Sequence, residues 1–180
     1  MKVTRLRAAV GVVATGLLVL AAIALAGLVY VKRTGLRGQP EPGPFETRVA
    51  RAIRGLAIPG DLKARTNPLA ASTDALAPGL QHFARYCAVC HGNDGAGAPI
   101  GRGLYPKPPD MRADTTQRLT DGEIFYIIEN GVRFTGMPAF GTGTPSPAGD
   151  KQVWELVYFV RHLPRITADE IEWMKTLNPT

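Results

Sequence analysis

The sequence predicts an all-α protein in which one N-terminal membrane-spanning helix precedes a small helical domain. Three observations carry this. Ala8 to Val31 contains no charged residue, and at about 1.5 Å per residue such a run crosses a bilayer core of roughly 30 Å. Further on, apolar residues recur at spacings of three and four, and two Thr-x-x-Glu patterns open such stretches. No segment alternates apolar and polar residues for long enough to require a strand, and no internal repeat occurs.

The apolar run is flanked by Lys2, Arg5 and Arg7 on one side and by Lys32, Arg33 and Arg37 on the other. These flanks balance, so the positive-inside rule gives no orientation. Ala24-Leu25-Ala26 offers a signal-peptidase site, which would make the run a cleaved leader. The run continues past it through Leu28, Val29, Tyr30 and Val31, and Tyr30 suits an interfacial anchor. A retained anchor over residues 1–34 is therefore expected.

Residues 35–73 read as a linker carrying a short amphipathic helix. Gly35, Gly38, Pro40, Pro42, Gly43 and Pro44 break regular structure. Phe45, Val49, Ile53 and Leu56 then follow at helical spacing, with Arg48, Arg51 and Arg54 largely on the other side. Such a helix is either solvated or pressed against the following domain or a partner. Pro59 and Gly60 end it, and 61–73 reads as irregular.

Residues 74–180 form the expected domain with a C-terminal helical extension. A helix should run from near Ala75 into Cys87, followed by a glycine-rich stretch from Gly92 to Gly103. That stretch has no preceding strand and is no dinucleotide fingerprint. Thr120 and Glu123 form a capping box that Gly131 would close, and Thr167 with Glu170 repeats the pattern before a last short helix. Between them lie a loop over 142–149 and a helix around Val153 to Val160.

The formal net charge is +6, but it is unevenly distributed. All six basic residues of 1–37 flank the apolar run, and the remaining 15 basic and 15 acidic side chains cancel. The basic character therefore belongs to membrane flanks, which argues against nucleic acid as a partner and for membrane lipid along the N-terminal helix.

Cys87-Ala88-Val89-Cys90-His91 carries the chemistry. Two thiols three positions apart can both add to the vinyl groups of one porphyrin, and the histidine after them can ligate its iron. Structural zinc would need four ligands, whereas this chain has only Cys87, Cys90, His82, His91 and His162 and no second close pair. A thioredoxin-like dithiol would follow a strand, whereas the residues before Cys87 have a helical pattern. One covalently bound haem c is expected. It consumes both cysteines and leaves none for a disulfide.

Over about residues 74–165 the chain resembles the class I c-type cytochromes. Beyond Cys87, Cys90 and His91, Gly79 and Phe83 stand where that family carries a glycine and an aromatic residue before the haem motif. The resemblance implies a cytochrome c fold in which the helix holding Gly79 and Phe83 crosses a C-terminal helix, here at Leu156 and Phe159. It implies that a proline carbonyl, assigned to Pro109 with Pro106 and Pro108 as alternatives, accepts a hydrogen bond from His91. Met111 would then pack on the haem. Gly136-Met137-Pro138 resembles the distal ligand segment, which makes His91 and Met137 the expected iron ligands and Met111 the rival sulfur. Trp154, Tyr105 and Arg112 could reach propionates, but the sequence does not assign that pairing. His82 and His162 carry no motif and read as structural.

These residues imply a one-electron carrier rather than an enzyme, working between redox proteins in or at the membrane. The alternatives are a fixed cytochrome c subunit of an oxidase or dehydrogenase complex, or a haem-based small-ligand sensor. Because thioether attachment in the family takes place outside the cytoplasm, the expected location is a bacterial inner membrane, single-pass, with the haem domain facing the periplasm.

Overall fold

A computed structural model describes residues 2–35, 37–38, 40–69, 73–141 and 147–179. The chain divides into two compact units between Arg37 and Gly38. The first is helix α1, Lys2–Thr34. Within it Ala9–Thr34 has a mean hydropathy of 2.7, and its side chains are exposed. Its length and composition suit a membrane span, and a signal sequence meets the same criteria.

The second unit is helical throughout its described residues. In order it contains α2 (Pro44–Ala57), α3 (Gly60–Lys63) and α4 (Thr73–His82), then a π-helical turn over Phe83–Cys87 that continues into α5 (Ala88–His91). A 3-10 turn at Gly101–Gly103 leads to α6 (Asp114–Gln117) and α7 (Asp121–Asn130). α8 (Pro147–His162), a 3-10 turn at Leu163–Arg165 and α9 (Ala168–Leu177) complete it.

Both capping boxes form as the sequence predicts. Thr120 caps α7 and Thr167 caps α9, each accepting from the backbone of its Glu partner while that carboxylate accepts from the cap backbone. Such a box satisfies two of the donors that a helix start leaves unpaired. Gly131 follows α7 with φ 64°. α8 starts earlier than the sequence suggests, at Pro147, so part of the expected 142–149 loop is helix. Proline fits a first helical turn, where its missing N–H has no partner to lose. Residues 142–146 lie outside the described residues.

The core sits where α4 and its π-turn extension cross α8. A Cβ on Gly79 would lie 2.2 Å from the Glu155 carbonyl oxygen and 3.1 Å from the Phe159 Cβ. Only glycine permits this approach. One turn on, Phe83 packs on Phe159 with ring centroids 5.0 Å apart. Leu80, Leu156, Val157, Val160, Leu163 and Met174 fill the space around them. The expected crossing of Gly79 and Phe83 with Leu156 and Phe159 is present.

The segment read as a linker joins this unit from Gly38 onward. Position 122 shows why: a Cβ on Gly122 would stand 1.8 Å from the Leu62 carbonyl oxygen, so α3 and the start of α7 are in backbone contact. Ile58 is buried. Asn67 donates through Nδ2 to the Trp154 carbonyl at 2.9 Å. The Arg65 guanidinium lies 5.5 Å from the Phe125 ring and 5.7 Å from Trp154, within cation–π range. α2 has no buried residue.

Candidate haem-attachment site

Cys87 closes the π turn, and Cys90 and His91 lie on α5, which continues it without a break. Such a turn takes up one extra residue and so rotates the residues after it by about 100° relative to an unbroken α-helix. The haem-motif side chains are therefore set at a different angle from the Gly79–Phe83 face while remaining on the same rod. Cys87 and Cys90 are free thiols, each partly exposed. Burial, with Cys90 adding to it, pushes the Cys87 thiol up to about 12.

His91 is 9% exposed. Its ring is tilted against Phe83 at a centroid distance of 6.3 Å. Burial lowers its pKa below the ordinary histidine value, so it is neutral at pH 7, the form that ligates metals. Nδ1 is buried and has no hydrogen-bond partner. The bond expected from His91 to a proline carbonyl, at Pro109 or alternatively at Pro106 or Pro108, is thus not made.

The turns beyond His91 fold back onto the motif. Gly97 N–H donates to the His91 carbonyl at 2.6 Å and Ala98 N–H to that of Cys90 at 2.9 Å. The proline loop is then joined to this return. Met111 N–H donates to the Gly95 carbonyl at 2.9 Å. Arg112 bonds Asp110 through both Nε and Nη2 and reaches Asp94 through Nη1 at 3.2 Å. The Arg112 bond, opposed by slight burial, holds the Asp110 carboxyl below its usual range.

Of the two sulfurs proposed for iron, Met111 is 9% exposed and belongs to the core. Met137 is half-buried and borders that core with Cys87 and Phe140. A loop pinned to the end of α7 presents it. Val132 N–H donates to the Met137 carbonyl at 3.1 Å, and Phe140 N–H to that of Ile128 at 3.0 Å. Met137 N–H itself donates to the Thr135 hydroxyl.

The remaining candidates have other partners. Tyr105 donates to Glu46 at 2.6 Å, and Arg112 is engaged by its two aspartates. Trp154 is buried and stacked on Phe125 at 4.3 Å. His82 stacks near Tyr86 and lies 3.8 Å from Glu155. His162 meets the Glu170 carboxylate at 2.9 Å and so joins α8 to α9.

These residues suit a covalently held haem. Two free thiols and a buried neutral imidazole with an unpartnered nitrogen share one helical stretch, and a thioether borders the same core. Among the described residues no cluster of three His, Cys, Asp or Glu side chains could hold a metal ion.

Residues 74–160 match the protein family described as "Cytochrome C oxidase, cbb3-type, subunit III". The chain carries a c-type cytochrome domain. Such a domain implies haem c and haem-based electron transfer with redox protein partners. Together with α1 the match fits a membrane-anchored monohaem c-type cytochrome. No curated protein matches the chain at a significant level.

Several features of this cytochrome domain had no signal in the sequence. The π turn is one, since its residues Phe83–Cys87 also suit an α-helix. Another is Arg161, whose guanidinium donates to Asp121 and to the carbonyls of Gln117 and Leu119 and so ties α8 to the approach to α7. A lone arginine in an amphipathic helix reads as solvated until the fold brings acceptors to it.

Proposed function

We propose that the chain is a membrane-anchored one-electron carrier. It would hold a single haem c through Cys87 and Cys90, with His91 and Met137 as iron ligands and with Met111 and Pro109 next to the group. The observation that carries this reading is the buried, neutral His91 directly after two free thiols, inside the matched segment. When bound, haem supplies an iron centre that gains and loses one electron. The chain's residues determine how it does so. His91 and Met137 would both ligate the iron, which would leave no position for a substrate, and a Met/His pair would favour a higher potential than a His/His pair. The apolar side chains around His91 exclude water. The α4–α8 crossing supplies a rigid frame, which limits reorganisation between the two oxidation states.

On this reading α1 is retained and the cytochrome domain faces the periplasm of a bacterial inner membrane, where haem attachment to CxxCH motifs takes place. The family description favours a second reading, in which the domain is a fixed subunit of an oxidase complex. Purification in mild detergent separates the two: a free carrier elutes alone, and a subunit elutes with its complex.

Haem should stay on the polypeptide through acid–acetone extraction, and its loss to the organic layer refutes thioether attachment. The ligand assignment is tested by substitution. Met137→Ala should abolish the near-infrared charge-transfer band of Fe–S(Met) coordination, lower the reduction potential and open the site to carbon monoxide. Met111→Leu should keep the band, because it preserves apolar volume in the core. The opposite pattern moves the ligand to Met111, and ready binding of carbon monoxide by the wild type favours a sensor.

A further inference from the structure

α2 is oriented against the usual rule for a surface helix. Phe45 and Leu56 are 80% and 86% exposed, and Val49 and Ile53, on the same stripe, are 40% and 60% exposed. The opposite side faces the domain through polar groups. Lys63 Nζ donates to the Gly55 carbonyl, while Glu46, at the border of the stripe beside Ile53, accepts from Tyr105. Arg54 is partly buried near Glu123, with its pKa lowered by burial and then by Arg51. Ile58, directly after the helix, is buried and fixes its end. The domain therefore holds α2 with its apolar stripe outward.

We infer that this stripe is embedded in the membrane interface among anionic lipid headgroups and the upper acyl chains. Residues 35–43 connect Thr34 to Pro44, at most roughly 35 Å of extended chain. A membrane-spanning α1 thus keeps α2 close to a bilayer surface, and lipid is always within its reach. The charges agree. Lys32, Arg33 and Arg37 precede the helix, and within it Arg48, Arg51 and Arg54 outnumber the single Glu46. By helical spacing Arg48 lies at the border of the stripe, where a long cationic side chain can reach headgroup phosphates. A helix with one apolar face, basic residues and low net hydrophobicity is the composition that lies in the interface plane. α2 would then be the floor of the domain, joined to the Tyr105–Lys107 segment by Glu46 in the helix and Glu41 just before it. The inference rests on the proposed retention of α1.

The test uses the full-length holoprotein in nanodiscs of phosphatidylcholine, with and without phosphatidylglycerol. Spin labels are placed singly at Phe45→Cys, Leu56→Cys and Arg51→Cys. Labels at 45 and 56 should be relaxed by membrane-soluble oxygen several-fold more than by an aqueous nickel chelate, most strongly in the anionic discs, and the label at 51 should show the reverse. Adding Val49→Asp and Ile53→Asp should return the label at 56 to the nickel-accessible class. Labels at 45 and 56 that stay nickel-accessible in both discs overturn the inference. So do labels shielded from both reagents in discs holding two copies, which would give the stripe to a second chain. The wild type should take up no label, since both cysteines lie in thioethers, and its mass should include residues 1–34. A labelled wild type refutes the haem reading alone. A chain lacking α1 overturns anchor and inference together, whereas nickel-accessible labels on an anchored chain overturn only the inference.

Discussion

Replacing Gly79 with alanine should loosen the crossing that organises the cytochrome domain. The added Cβ would stand 2.2 Å from the Glu155 carbonyl oxygen, 2.9 Å from its carbonyl carbon and 3.1 Å from the Phe159 Cβ. The first two are backbone atoms of α8, which no rotamer change can move aside. The helices must separate by about 1 Å to restore ordinary contact distances. That shift also opens the Phe83–Phe159 contact, now at 5.0 Å between centroids. Overpacking of this kind costs about 1–3 kcal/mol, and the backbone clash places Gly79 at the upper end. Alanine in a helix interior returns about 1 kcal/mol relative to glycine. A net loss of roughly 2 kcal/mol lowers the melting temperature of a domain this size by about 4–8 °C. Gly55→Ala is the control, since a Cβ there meets nothing within 4 Å, and it should leave the domain unchanged or slightly stabilised. Melting of the holoprotein in detergent is followed at the Soret band, which reports the haem environment and not α1. If Gly79→Ala melts within about 1 °C of wild type, the close crossing is not what holds α4 to α8.

Two further changes probe the polar ties. Arg161→Met keeps the apolar stem but leaves Asp121 and the carbonyls of Gln117 and Leu119 without their donor. A loss of about 2–3 kcal/mol in denaturant unfolding is expected, and a change below about 0.5 kcal/mol would mean that water replaces the guanidinium at no cost. At Glu170 burial opposes ionisation, but the bonds from His162 and Thr167 outweigh it and hold the carboxyl below its usual value. The stability it contributes is therefore complete above the unfolded carboxyl pKa of about 4.3 and is lost as pH falls through the lower folded value. Between about pH 6 and pH 3 the wild type should lose more stability than Glu170→Gln. Equal losses would show that the His162–Glu170 bond is not linked to acid unfolding.

The features legible in the sequence and those hidden from it divide along physical lines. Cys87, Cys90 and His91 are legible as a motif because covalent haem attachment would need that spacing within a few residues. Thr120 with Glu123 and Thr167 with Glu170 are legible because a capping box is likewise a local device. Gly79 could be placed only through the family resemblance, since a glycine in a helix carries no sign of what approaches it. The contact of Leu62 with Gly122 had no signal at all, because both partners are ordinary residues far apart in the chain. The expected proline bond is not made by His91 Nδ1, and it concerned loop geometry, which no local sequence pattern fixes.

The same distinction explains α2. The spacing of Phe45, Val49, Ile53 and Leu56 establishes that the helix has an apolar side, but a period cannot say which side meets the domain. The default expectation buries the apolar side, since burial of apolar area is the main favourable contribution to folding. Here the domain instead offers Lys63 and Glu123 to the polar side of the helix and Tyr105 to its border. Four apolar side chains facing water would be a standing cost for a freely soluble domain. Beside a bilayer that cost becomes a gain, because the same area leaves water as soon as the tether brings it to the surface. The outward stripe therefore agrees with the uncharged run at Ala8–Val31: each is unfavourable in water, and the surroundings that would favour one would favour the other.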